Sequence, residues 1–343
     1  MNHHSPEARR GYLCIDGCVQ IWPDADFASI PALGVTAYLL TAFDPYVSFR
    51  AALKEMSYWH GVVERYPGSL RVALVSGDIL AAHDSGRSAL ILGCQGLNFV
   101  SDDLWALDVM HRLGLRVAQL TYNDRNMVAD GCLEPGGAGL SGFGRRVVAE
   151  LSRLGIVLDL SHVGERSSLE AMDATPGPAV ISHANPRAVV DSPRNISDAQ
   201  IRACAAGGGV IGLSPWGPLA WRRPELGRPA LEDYIACLEY VIEMVGIDHV
   251  GVGTDLSIGT YSATLHAELV QRYPSVFDDY GREVEASAGS PLRYVAGFDD
   301  LTRFQAFGGV LASRGYSDDD VRKVLGGNFL RVFSQVWDCP REV

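Results

Sequence analysis

An α/β barrel of eight parallel strands is the fold this sequence predicts, and three observations predict it. Short apolar, β-branched runs alternate with helical patterns along most of the chain. There are about nine such strand runs, so one strand is left over once a barrel of eight has closed. No G-x-G-x-x-G follows the first run, which leaves the open dinucleotide-binding sheet without its motif. The expectation is one (β/α)8 TIM-type barrel domain over residues 1–343, with an extra strand and C-terminal helices, because no repeat, low-complexity stretch or linker divides it.

The elements follow in order. Residues 12–16 form a first strand, closed by a turn at Asp16-Gly17, with Cys18, Val19 and Gln20 at its mouth. Strand 35–41 leads to a long helix over 45–66, with Leu53 and Trp59 on its apolar side. Strand 70–75 precedes helix 77–86, where Asp78 suits the first turn. Strand 89–93 ends in Cys94-Gln95-Gly96, and helix 102–113 stops at Gly114. Strand 117–121 ends in Tyr122-Asn123, and 124–139 is a glycine-rich loop. Ser141 caps helix 144–154, and Ser197 caps helix 198–206. Strand 209–213 opens on Ser214-Pro215-Trp216, helix 231–245 follows the loop 224–229, and the last strand, 249–253, ends in Thr254-Asp255. Residues 256–292 have weak periodicity and read as a lid or insertion. Helices 299–313 and 318–324 precede a tail, 328–337, that closes the bottom or side of the barrel.

The stretch 155–185 organises the rest. Runs 156–160 and 179–181 each end in Ser-His and flank a helix over 167–174, a strand–helix–strand unit. Parallel strands share direction, so His162 and His183 leave the same edge, at the mouth where such barrels place their chemistry. Two neutral imidazoles one strand apart begin a metal site, although a strand-end histidine is often only a hydrogen-bonded residue. Asp255, facing them, has the type of a general base on a metal-bound water; its alternative is a cap or an ion pair. Arg194, in a Pro-Arg-Asn turn, is fit to clamp a substrate carboxylate or is a surface arginine.

The formal charge of −12 argues against a nucleic-acid surface. Seven scattered cysteines with no C-x-x-C fit reduced thiols in a cytoplasm. The polar start reads as no signal peptide, and no apolar stretch of about 20 residues suggests a membrane span.

The chain resembles the membrane dipeptidase (renal dipeptidase) family of metallopeptidases over nearly its whole length. The resemblance rests on Asp16-Gly17, L-T-Y-N at 120–123, G-L-S-G-F-G-R-R-V-V at 139–148 and R-L-G-I-V-L-D-L-S-H-V at 153–163. It continues in I-S-H-A-N-P-R-A at 181–188, P-R-N-I-S-D at 193–198, G-G-V-I-G at 208–212, V-G-V-G-T-D at 250–255 and G-G-N-F-L-R-V-F at 326–333. Such dipeptidases carry two zinc ions. One is held by a His-x-Asp pair after the first strand, both by a bridging glutamate, and the second by two strand-end histidines. The resemblance implies that His162 and His183 bind the second zinc, that Asp255 handles the proton and that Arg194 binds the substrate carboxylate. The His-x-Asp pair is here Cys18-Val19-Gln20, the bridging glutamate is Gln95, and the substrate-binding histidine beside Asn123 is Tyr122.

Neutral amides are poor zinc ligands beside a carboxylate, and two negative charges are lost. The expected centre is therefore a single zinc ion, or none, on His162 and His183, with Gln95 or Cys18 as third ligand; buried inert thiols are the other state of Cys18 and Cys94. Tyr122, Asn123 and Arg194 are the candidate substrate contacts. The expected activity is a metal-dependent hydrolysis of small amide or dipeptide-type substrates by a metal-bound water. The alternatives are altered single-metal or metal-free chemistry on an amino-acid-derived molecule, or a non-catalytic relative. The expected partners are a small-molecule substrate and, by resemblance, a second copy of the chain, with no nucleic acid and no membrane.

Overall fold

The computed structural model describes residues 11–262 and 290–338, with 264, 267, 268 and 271 between them. Its strands are β1 (Ile15–Ile21), β2 (Ala37–Thr41), β3 (Leu70–Val72), β4 (Ser88–Cys94), β5 (Leu115–Gln119), β6 (Val157–Asp159), β7 (Val180–Ile181), β8 (Val210–Leu213), β9 (Val250–Val252) and β10 (Leu256–Ile258). Eight of them, β1-β2-β4-β5-β6-β7-β8-β9, form a parallel ring that closes where Asp16 pairs with Val252. β3 pairs with β4 alone and is the strand left outside.

Around the ring lie α1 (Phe49–Arg65), α2 (Ser76–Ser85), α3 (Trp105–Arg112), α4 (Gly142–Leu154), α5 (Glu165–Ala174), α6 (Asp198–Ala206), α7 (Gly217–Ala220), α8 (Leu231–Val245), α9 (Arg303–Ser313), α10 (Asp318–Arg322) and α11 (Asn328–Trp337). The caps follow the sequence chemistry. Ser141 accepts from Gly144 N, and Ser197 forms a reciprocal capping box with Gln200.

Two expectations are corrected. The first strand does not turn at Asp16-Gly17 but runs through it to Ile21, so Cys18 and Gln20 lie within β1. The local cause is an irregular register against β2 between Asp16 and Val19, together with a glycine where a Cβ would stand 2.6 Å from the Ser182 carbonyl oxygen. Residues 256–292 do not begin as a lid, because Leu256–Ile258 adds to β1 as a tenth strand; most of the remaining segment lies outside the described residues.

Strand alternation divides the barrel interior into two levels. Ile15, Ala37, Ala89, Ile91, Val117, Val157, Val180 and Val210 form an apolar layer with Phe329, Val332, Phe333 and Trp337 of α11. Two residues further along their strands stand Gln119, Asp159, Ser182 and Gly212, a polar layer beneath the mouth. Phe329 thus plugs the barrel from below. It fits because Gly251 and Gly17 carry no Cβ, which would lie 2.5 and 2.7 Å from its ring. Phe329→Ala empties this plug, and a large-to-small change in such a core costs about 3–5 kcal/mol. Urea unfolding should show a correspondingly lower midpoint with an unchanged slope.

Candidate metal centre at the barrel mouth

The polar layer sets the positions of the mouth residues through two buried carboxylates. Asp159 Oδ1 accepts from the backbone N–H of Ser161 and of Ser182, each at 3.0 Å, and its Oδ2 accepts from the Ser182 hydroxyl at 2.5 Å. Asp16 Oδ1 accepts from Thr254 N at 2.7 Å and Cys18 N at 3.2 Å, and its Oδ2 accepts from the Thr254 hydroxyl at 2.5 Å. Each carboxylate fastens two neighbouring strand ends. Burial raises both above the ordinary carboxylate range, Asp16 to about 7, while the surrounding N–H and O–H donors pull the other way.

The next residues along these strand ends are the candidates. His162 and His183 are buried, and their Nε2 atoms approach to 3.0 Å. Burial holds both imidazoles well below the usual histidine range, with the Arg194 charge adding to it, so both rings are neutral. His162 Nδ1 donates to the Asn123 side-chain oxygen at 2.6 Å, which leaves its Nε2 as a lone pair. Tyr122 stacks on the His162 ring, with centroids 4.1 Å apart.

On the other side, the ligand atoms of Cys18, His183 and Asp255 lie within 4.8 Å of one another. Cys18 Sγ is 3.6 Å from Asp255 Oδ1 and accepts from Gln95 Nε2 at 3.1 Å. Gln20 Nε2 donates to Thr41 at 3.1 Å and to Asp255 Oδ1 at 3.4 Å. Burial, and the carboxylates of Asp255, Asp16 and Asp159, push the Cys18 thiol well above its usual range. Such a thiol stays protonated unless a cation arrives beside it. Arg194 is buried; its Nη2 donates to the His183 carbonyl at 2.7 Å, and its Nη1 is buried with no acceptor among the described residues.

Of the eight candidates drawn from the sequence, His162, His183, Gln95, Cys18 and Asp255 are linked by contacts of 3.0–3.6 Å, Tyr122 and Asn123 contact the His162 ring, and Arg194 reaches the His183 carbonyl. Asn123 is fully buried and contacts a ring. The sequence reading did not single out Asp159, Ser182 and Thr254. The signal was there in a repeated pattern: Asp16 and Asp159 each stand two residues before a backbone N–H that they bind, and Thr254 and Ser182 each precede a mouth residue.

His162 and Asp255 both adopt left-handed backbone conformations, with φ of 62° and 54°. For non-glycine residues this is a sparsely populated region that persists when neighbours fix it. The backbone N–H of Asp255 donates to the Cys18 carbonyl at 2.8 Å, and the His162 carbonyl accepts from Cys132 N at 2.7 Å.

The sequence profile of the membrane dipeptidases, peptidase family M19, matches residues 25–287 and 288–342. The chain belongs to the membrane dipeptidase family. Dipeptidase verJ of Clonostachys rogersoniana is 29% identical over 85% of this chain and 66% of its own length. Dipeptidase tcpJ of Claviceps purpurea is 27% identical over 85% of this chain and 61% of its own. The chain thus spans less than two thirds of the length of these curated relatives. Among solved structures, an amidohydrolase from Pseudomonas aeruginosa superposes with a TM-score of 0.85 at 28% identity, covering 96% of this chain and 97% of that one. Among the described residues of this membrane dipeptidase family member, no helix is long and apolar enough to cross a membrane.

Asp16→Ala would leave two backbone N–H groups without their acceptor and the Thr254 hydroxyl with only its longer contact of 3.4 Å to the Cys18 carbonyl. Each orphaned buried group costs about 1–3 kcal/mol, so the loss should reach at least about 2 kcal/mol. Denaturant titration of Asp16→Ala beside Asp16→Asn, which retains one acceptor oxygen, measures it.

Proposed function

We propose that this chain is a zinc-dependent hydrolase of small amide substrates that carry a free carboxylate, dipeptides being the nearest class, and that it works with one metal ion. The observation that carries the reading is the approach of two neutral imidazole Nε2 atoms to 3.0 Å, beside a thiol and a carboxylate. Tetrahedral zinc, with Zn–N bonds of about 2.0–2.1 Å, spaces two nitrogens by about 3.3 Å, so the pair suits one ion. His162 and His183 would hold it, with the Cys18 thiol, which groups with His183 and Asp255, and the Gln95 amide on the His183 side. A second ion lacks charged donors, because Gln20 and Gln95 are amides.

When bound, the ion polarises the scissile carbonyl and supplies an activated water at neutral pH. The protein's own groups do the rest. Arg194 uses Nη2 to hold the His183 carbonyl and offers Nη1 to the substrate carboxylate. Asp255 takes the proton from the attacking water and returns it to the departing amine. Gln20 and Cys18 both contact its Oδ1, so Oδ2 is the oxygen left for that proton. Tyr122 covers the His162 ring and forms one wall of the substrate hollow. The unpaired cysteines among the described residues agree with a cytoplasmic setting, and a homodimer is the assembly we expect.

Two measurements test this. Elemental analysis of untagged protein should give about one zinc per chain; metal-free protein that zinc does not restore to amide cleavage sinks the reading. Arg194→Ala should raise KM for a carboxylate-bearing dipeptide roughly 10- to 100-fold, the worth of a charged hydrogen bond. The same change should leave the KM of the corresponding dipeptide amide nearly unmoved. The substituted positions favour a second reading, in which the natural substrate is an amino-acid-derived amide other than an ordinary dipeptide. Under it, Cys18→His, Gln20→Asp and Gln95→Glu together would create dipeptide turnover that the natural chain lacks.

A further inference from the structure

The two buried carboxylates beneath the mouth look alike but end differently. The Asp16 network returns to the backbone: the Thr254 hydroxyl, after donating to Asp16, accepts from Leu256 N at 3.1 Å. The Asp159 network continues into a ring. The Ser182 hydroxyl lies 2.5 Å from Asp159 Oδ2, 2.8 Å from His183 Nδ1 and 3.1 Å from the Ser161 hydroxyl, which itself accepts from His183 N and can donate to the Ser182 oxygen. A hydroxyl has one hydrogen to give. A carboxylate, whose other oxygen already accepts two backbone N–H groups, takes that hydrogen. The Ser182 oxygen is then an acceptor toward His183, so Nδ1 must carry the ring proton and Nε2 must be bare.

From this we infer that Asp159 and Ser182 are positioning residues that lock His183 in its Nδ1–H tautomer, aiming an Nε2 lone pair at the hollow. Both are buried. Asn123 does the same for His162 from the opposite side. Two bare Nε2 atoms then face each other at 3.0 Å, an unfavourable contact by itself that a cation between them relieves. The lock is rigid because the Ser182 main chain is held tightly. A Cβ on Gly212 or Gly253 would come within 2.0 and 1.9 Å of its carbonyl oxygen, so only glycine admits it there. The consequence for metal affinity rests on the single-ion reading above, whereas the tautomer itself does not.

The geometry gives opposite expectations for two substitutions. In Asp159→Asn the amide oxygen must stay with the two backbone N–H groups, so its NH2 faces the Ser182 hydroxyl. The hydroxyl oxygen then accepts, its hydrogen turns to His183 Nδ1, and the ring should switch to the Nε2–H form. In Ser182→Ala the partner vanishes and the two forms should mix. Long-range proton–nitrogen NMR of metal-free protein labelled at histidine nitrogens reads this directly, with the His183 signals assigned by their loss in His183→Gln. The natural chain should show Nδ1–H alone at neutral pH. An Nε2–H ring in the natural chain, or an unshifted Nδ1–H ring in Ser182→Ala, overturns the inference whether or not Asp159→Asn folds. Zinc affinity, measured by dye competition, should fall about 10- to 100-fold in Ser182→Ala, the usual worth of a ligand's outer partner. Failure of the natural chain to bind zinc would sink the functional reading and leave the tautomer result standing.

Discussion

The mouth of this barrel depends on hydrogen bonds to two carboxylates that never reach solvent. A parallel strand ends where its ladder runs out, and there the backbone N–H groups need new acceptors. Asp159 supplies them across the ends of β6 and β7, and Asp16 across β1 and the end of β9. Cys18, Gln20, His162, His183 and Asp255 each sit within two residues of one of these bonded positions. Buried networks of this kind hold geometry well only when all members are satisfied. Here both oxygens of each carboxylate are engaged.

This arrangement explains why the backbone at His162 and Asp255 is held in a costly conformation. A left-handed residue directs the chain away from the strand axis, so its side chain turns over the end of the barrel. The cost is of order 1–3 kcal/mol for each, and it is offset only by the bonds that surround it. The bonds to Cys18 and from Cys132 fix the peptides on either side. The site is therefore preorganised by the strand ends themselves, with the apolar plug of Phe329 filling the space below.

Much of this was legible in the residue pattern. Alternation of apolar runs with helices foretold the barrel, and its leftover strand is β3. The repeated Ser-His pair foretold two rings side by side, because parallel strands cannot do otherwise. Less legible was β1. Asp16-Gly17 has the composition of a turn, and a single sequence does not reveal that Gly17 stands where Ser182 and Phe329 approach from across the barrel. The tenth strand was hidden for a similar reason: three residues carry too little periodicity, and their pairing with β1 is a tertiary fact. The serine and threonine that pass hydrogen bonds to the carboxylates look like ordinary loop polarity until burial shows that they have no water to turn to.

Charge balance ties the substituted positions together. Taken one at a time, Cys18, Gln20 and Gln95 are unrelated replacements of the expected ligand set. Taken together, they remove two carboxylates and add one ionisable thiol. On the single-ion reading, the Asp255 carboxylate and, once a dication is beside it, a Cys18 thiolate are the anionic groups at the mouth, above the buried carboxylates of Asp16 and Asp159. Without a cation, burial keeps both rings neutral and the thiol protonated, so the hollow does not carry an unpaired array of charges. Arg194 adds one positive charge that no described acid neutralises through its buried Nη1. A substrate carboxylate would bring the missing one. A second dication would bring two more positive charges where Gln20 and Gln95 offer only neutral amides. It is this balance that supports the proposed reading of one ion and one anionic end of a small molecule.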